Sequence, residues 1–241
     1  MRSKIVHIDS WFLRYIKNYK ERPMFYASYG SFIHKLLELY YLGILNKDDM
    51  LADFLSNFST EVRGNRPPGN VVSKYIKAGS DYFKTFEPFD GKTLGVETKV
   101  KFKVGERDFV GFVDFIGEKD GELYIVDNKS RELKSRSQRK KPTAKDQELD
   151  SMLRQLYLYS AAIKQRYGTY PDWLCFNCFR NKMFIKERFD KDKYQETLDW
   201  VTKTIENISN VEGFPPSVEF FKCKYLCGFN DICCYASPRS A

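Results

Sequence analysis

Between residues 91 and 130 the chain carries three short runs, TLGVETKVKFKVG, RDFVGFVDFIG and ELYIVDNKS, each rich in β-branched and aromatic residues and set off by glycine-containing turns. Such runs form successive strands of a β-meander. Helical periodicity precedes and follows them, which commits the chain to an α/β architecture in which helices cover a central sheet. EKDG joins the last two runs as a hairpin, with turn class and register left open by a single sequence.

Ahead of the meander, Phe32, Ile33, Leu36, Leu37, Leu39 and Tyr40 recur at helical spacing between Ser28 and Leu45, with Gly43 as a stop. A second helix is expected over residues 46 to 62 and a third over 71 to 86, separated by the breaker GNRPPGN. After the meander, Leu149, Met152, Leu153, Leu156 and Tyr157 mark an amphipathic helix. DWLCFNCFRNKMFIKERF reads as a strand or a pair of strands, and another helix is expected near residues 191 to 209. The expected organisation is a single domain over residues 1–241. It comprises a mainly helical part (1–90), a β-meander with the chemistry (91–130), a basic loop (131–146), a helix–strand–helix unit (147–210) and a Cys-rich tail (211–241).

Composition enters where it limits function. With 42% hydrophobic and 30% charged residues the chain reads as globular. It lacks both a secretory leader pattern and an apolar run near the roughly 18 residues of a membrane span, so a cytoplasmic protein with no membrane partner is expected. Of the net charge of +8, a surplus of six falls in RELKSRSQRKKPTAK, residues 131 to 145, which carry seven basic side chains and one acidic one. Such a run is either a solvated loop or a polyanion contact, and its place next to the residues below favours nucleic acid. Four of the six cysteines lie between Cys223 and Cys234, which points to reduced thiols or a metal site rather than a disulfide framework. Cys175 and Cys178, three apart in a strand-like run, read as buried structural thiols.

The candidate chemistry centres on Asp127-Asn128-Lys129. Side chains two apart on a strand share a face, so a carboxylate and an ammonium meet while Asn128 points away. Alone, the pair is equally an ion pair at a strand end; with a divalent cation it has the parts for metal-assisted phosphodiester hydrolysis. Asp114 interrupts an apolar strand, where an ionised carboxylate is costly unless paired or bound to metal. Whether Asp114 and Asp127 share a face depends on register or on a bulge. His34, in an otherwise apolar helix, offers a neutral imidazole as a further metal ligand, with Glu38 one turn on placed to orient it. Gln155 and Tyr159 lie four apart on the helix after the basic run, within reach of water or a phosphate.

Taken together, GxxxHxxxE (Gly30 to Glu38), GxxD (Gly111 to Asp114), DxK (Asp127 to Lys129) and QxxxY (Gln155 to Tyr159) resemble the RecB-like branch of the PD-(D/E)XK nucleases in order and spacing. The resemblance covers roughly residues 28 to 190 and implies a restriction-endonuclease-like core. It implies that His34, Asp114 and Asp127 bind Mg²⁺ or Mn²⁺, that Lys129 supports the attacking water with Gln155 beside it, and that Tyr159 lines the DNA path. Glu97 is a further candidate. Arg131 and Lys134 in the basic run are expected to hold phosphates, and Tyr157 and Tyr159 are candidates to stack on single-stranded bases, core packing being the expected role of most of the chain's aromatic residues. Size and the lack of a helicase motif resemble a stand-alone or phage-type exonuclease acting in DNA repair, recombination or phage DNA processing, with a recombination protein as a potential partner. Some relatives hold an iron–sulfur cluster on three C-terminal cysteines and one upstream. Here Cys223, Cys227 and Cys233 or Cys234 match the C-terminal part, a zinc ion being the alternative, while Glu21-Arg22-Pro23 stands where the upstream cysteine belongs. The rival expectation is a non-catalytic DNA-binding or partner-docking module on the same fold.

Overall fold

A computed structural model describes residues 10, 12–210 and 219–233. After a π-helical turn at Phe12–Ile16 come three helices: α1 (Phe25–Tyr41), α2 (Lys47–Glu61) and α3 (Gly69–Lys84). Three strands follow, β1 (Lys92–Val104), β2 (Arg107–Lys119) and β3 (Glu122–Lys129). The chain then forms α4 (Ala144–Tyr167), β4 (Trp173–Cys178), β5 (Met183–Arg188), α5 (Lys191–Ser209) and a short α6 (Phe220–Tyr225). The five strands form one sheet in sequence order, parallel only between β3 and β4, where α4 supplies the crossover.

Local chemistry sets these boundaries. α1 buries Phe25, Tyr29, Phe32, Ile33, Leu36 and Leu37 along one stripe and stops ahead of Gly43, whose φ of +71° a side chain would disfavour. It therefore spans Phe25–Tyr41, not Ser28 to Leu45. α4 begins at Ala144, inside the segment expected to be a basic loop. There Thr143 and Asp146 form a reciprocal capping box that satisfies the first free amides. DWLCFNCFRNKMFIKERF resolves into the antiparallel pair β4 and β5.

Two cores hold the layers together. Leu149, Leu153 and Leu156 of α4 pack on one face of the sheet against Ile116, Ile125 and Leu174, while α1, α2 and α3 build an aromatic-rich core around Tyr29, Phe54 and Phe83. Cys175 and Cys178 are fully buried, and burial pushes their thiols up to about 12 and about 11, which keeps them protonated and inert. Among the described residues no helix is long and apolar enough to cross a membrane.

Candidate active site

Two short turns align the acidic residues. Val104 pairs with Arg107 and Lys119 with Glu122, so each connection in the meander is two residues long. Asp120 and Gly121 both have positive φ (+54° and +77°), as a type I′ turn requires, and Gly105 has φ +56°. Counting back from the first turn puts Glu97 opposite Asp114, between the pairs Val96↔Phe115 and Thr98↔Val113. Counting from the second puts Asp114 opposite Asp127, one step beyond Phe115↔Val126, the last pair of that ladder. The three carboxylates therefore lie in a row across β1, β2 and β3.

At this row the sheet departs from regularity. Val100 and Val113 belong to the core beneath α4, but Val96 and Phe115 belong to a cluster on the other face, although residues an even number apart on a regular strand share a face. The inversion sits at Glu97, whose left-handed φ of +42° costs about 1–3 kcal/mol in a residue with a side chain. Here β2 and β3 also part company. The Asn128 amide, beyond the end of the β2 ladder, donates to Asp114 Oδ2 at 2.6 Å, and the Asn128 carbonyl lies 2.9 Å from His34 Nε2. One residue's backbone thus fixes a carboxylate and an imidazole in the fork.

His34 reaches that carbonyl because α1 comes close to the end of β3 one turn earlier. A Cβ on Gly30 would lie 3.3 Å from Ser130 Oγ, so glycine keeps the approach free of crowding. A carbonyl only accepts, so Nε2 carries the proton and the Nδ1 lone pair faces the acids, 3.4 Å from Asp114 Oδ2 and 3.9 Å from Glu97 Oε1. Glu38, expected to orient the ring, makes no hydrogen bond or ion pair with it among the described residues. The Asn128 carbonyl occupies that position instead.

On the other side of the fork, Lys129 Nζ lies 2.5 Å from Asp127 Oδ2 and donates to Gln155 Oε1 at 3.0 Å. Gln155 Nε2 in turn donates to the Tyr159 hydroxyl at 3.0 Å. Gly111 makes room for this chain, since a Cβ there would come within 2.4 Å of the Tyr159 ring. The Lys129–Asp127 contact is a close ion pair, and Lys129 is the partner of the buried Asp127 Oδ2.

The electrostatics show a surplus of negative charge. Burial raises the Asp114 carboxyl to about 7 with help from the Asp127 charge, against the lowering effects of His34 and the Asn128 amide. Burial also raises Asp127 above the usual carboxylate range, although Lys129 opposes it. For His34, burial disfavours the imidazolium, yet Glu97, Asp114 and Asp127 together outweigh it and the net shift is upward. Burial, reinforced at Asp114 by the Asp127 charge, pushes the two aspartates toward holding a proton, and the acids around His34 do the same for the imidazole. His34, Glu97 and Asp114 each offer a donor atom, all within 4.8 Å of one another. With the buried Asp127 carboxylate beside them, this mixed carboxylate and imidazole set fits a hard divalent cation. Of the residues the sequence nominated, His34, Asp114, Asp127, Lys129, Gln155 and Tyr159 meet here, and Glu97 stands closer to the ligand set than Asp127 does.

The basic run is less free than its composition implies. Arg131 and Lys145 pair with Glu148, and Arg136 bridges Asp150 at 2.7 Å and Glu187 at 2.9 Å. Lys134, Arg139, Lys140 and Lys141 are exposed and form no ion pair among the described residues. Tyr157 is buried in the core.

At the tail, Cys223, Cys227 and Cys233 are half-buried, and no cysteine joins a metal-ligand cluster among the described residues; Cys234 lies outside them. Where a cysteine would precede α1, Arg22 instead pairs with Asp231 at 2.7 Å and its amide donates to the Gly228 carbonyl at 3.1 Å, next to the fully buried Phe229.

Comparison with known proteins agrees with the motif reading. The family model described as the PD-(D/E)XK nuclease superfamily matches residues 10–234. Among solved structures, a Eubacterium rectale protein provisionally named an exonuclease is similar at 15% identity, covering 88% of this chain and 78% of its own, with a TM-score of 0.46. SSO0001 is similar at 16% identity, covering 94% and 93%, with a TM-score of 0.31. Among curated proteins none matches.

Proposed function

Since the chain belongs to the PD-(D/E)XK nuclease superfamily, whose members depend on divalent metals, we propose that it is a deoxyribonuclease that uses Mg²⁺ or Mn²⁺ and removes nucleotides from DNA ends. The observation that carries this reading is the row Glu97–Asp114–Asp127 closed by His34 on one side and Lys129 on the other. His34, Glu97 and Asp114 would hold the cation, with Asp127 beside them. When bound, the cation supplies Lewis-acid stabilisation of the phosphoryl oxygens and makes water acidic enough to attack at neutral pH.

The chain's own residues do the rest. The Asn128 carbonyl keeps the His34 proton on Nε2 and so leaves Nδ1 free as a ligand atom. Gln155 anchors the Lys129 ammonium, which is thereby positioned to orient the attacking water and to offset charge building on the phosphoryl group. Tyr159 steadies Gln155 through its hydroxyl. Lys134 and the exposed Arg139, Lys140 and Lys141 are placed for phosphate contacts, whereas Arg131 must first give up Glu148 to make one. The resemblance of the four motifs to the RecB-like branch supports DNA as substrate, action from an end and a place in repair, recombination or phage DNA processing. It supports equally a recombination protein as partner.

The test compares end-labelled linear DNA, single- and double-stranded, with circular single-stranded DNA in Mg²⁺, in Mn²⁺ and in EDTA. Shortening of the linear forms that needs the cation and spares the circle is expected. Cutting of the circle would replace end-directed with internal action. Binding without cleavage of any form in either cation would overturn the enzyme reading in favour of a non-catalytic DNA-binding module.

A further inference from the structure

The two strands bearing Glu97 and Asp114 continue past the site as a two-stranded arm, paired from Thr98↔Val113 to Val104↔Arg107. Its inner face is core, with Val100, Phe102, Val104 and Val113 packed beneath α4. On its outer face Lys99, Lys101 and Lys103 alternate along β1 and are exposed, and Val110 and Phe112 on β2 are 61% and 51% exposed. Lys99 sits opposite Phe112 and Lys101 opposite Val110. Lys103 lies 3.8 Å from Asp108, but Lys99 and Lys101 form no ion pair among the described residues. An antiparallel pair with one buried face ordinarily turns polar residues outward. Packing therefore gives no reason for a half-exposed phenylalanine opposite one unneutralised lysine and diagonal to another. Nor is Phe112 remote from the chemistry: it stands two residues from Asp114, and its backbone hydrogen-bonds the Tyr159 hydroxyl.

We propose that this outer face is a track for single-stranded nucleic acid running into the active site, on which Lys99 and Lys101 hold successive phosphates and Phe112 stacks on a base. The inference rests on the nuclease reading and adds to it the form of the substrate. Lysines two apart on a strand are spaced by about 7 Å, close to the reach of one extended nucleotide. An exposed ring can stack on any base whose face is free, which a duplex interior does not offer and a single strand does. The lysines also select against a protein occupant, because lysine is depleted in the cores of protein interfaces whereas it suits a polyanion.

The test is fluorescence anisotropy of the full chain with labelled oligothymidine and with a blunt duplex, in EDTA so that nothing is cut, across a salt series. Phe112→Ala is expected to weaken single-strand binding about tenfold while changing duplex binding less than about twofold, and Phe112→Tyr to restore it. Lys99→Ala with Lys101→Ala should reduce the slope of log affinity against log salt for the single strand by about 1.4. All of these side chains are exposed, so unchanged circular dichroism is expected and verifies the fold. Unchanged single-strand affinity and slope in these variants, or an equal loss on duplex, would overturn the track. If the wild type still cleaves DNA in that case, the nuclease reading stands and the track alone is lost; a wild type that neither binds nor cuts sinks both.

Discussion

Two places in this chain collect metal-ligand residue types, and they are built in opposite ways. At the fork, His34, Glu97, Asp114 and Asp127 come from four elements and up to 93 positions apart in sequence, yet three of them bring donor atoms within 4.8 Å of one another. In the tail, Cys223, Cys227 and Cys233 are near neighbours in sequence but gather into no metal-ligand cluster among the described residues. The fork confines charge that lacks compensation. The tail is instead fastened to the segment before α1 by Arg22–Asp231, by the Gly228 carbonyl and by burial of Phe229. The fork is thus where buried donors converge from distant parts of the chain.

Substitutions can break this contrast, and the largest effects belong to the fork. Asp127→Asn and Asp114→Asn should each lower the cleavage rate by on the order of 10³-fold, measured on labelled DNA in Mn²⁺. The same Asp114→Asn change should raise the cation-free melting temperature at pH 8 by about 3 °C. The sign follows from linkage: the Asp114 carboxyl titrates at about 7 in the folded chain, so its contribution is favourable below the unfolded value near 4 and is lost as pH rises through 7. At pH 8 the wild type carries the full penalty and the neutral isostere escapes it. A lower melting temperature at pH 8 would mean that the carboxylate is a stabilising group and that the fork is not short of positive charge.

The tail should respond weakly. Cys223→Ser with Cys227→Ser is expected to change cleavage by about twofold or less, because neither thiol joins the ligand set at the fork. Arg22→Ala should lower the melting temperature by about 1–3 °C, because the exposed Arg22 side chain limits what its ion pair contributes. A loss of activity in the cysteine variant comparable to that of Asp127→Asn would erase the distinction between the two regions.

Much of the fork was legible in the sequence. The strand runs, the apolar stripe of α1 and the DxK pair all depend on local periodicity, which a sequence displays directly. The register was not legible: it follows from the two-residue turns at Gly105-Glu106 and Asp120-Gly121, which the structure supplies and which place Glu97, Asp114 and Asp127 opposite one another. The start of α4 falls earlier than expected, because the Thr143/Asp146 capping box lies inside the run expected to be a basic loop. Other features have no local signature. The inversion at Glu97 is a backbone departure that no residue type marks. The partner of His34 is a main-chain carbonyl, so the helical spacing that nominated Glu38 had nothing to say about Asn128. In the basic run, the neutralising Glu148, Asp150 and Glu187 arrive from α4 and β5, and a count of charges along residues 131 to 145 does not see them.

The most direct measurement is a calorimetric titration of the DNA-free protein with Mn²⁺ at pH 8 and pH 6, in wild type and in Asp114→Asn. Saturable binding at pH 8 that weakens at least about tenfold at pH 6, where Asp114 and His34 hold protons, is expected, together with its loss in the variant. Wild-type protein that takes up no Mn²⁺ at either pH, or a variant that binds it as tightly as the wild type, would contradict the account.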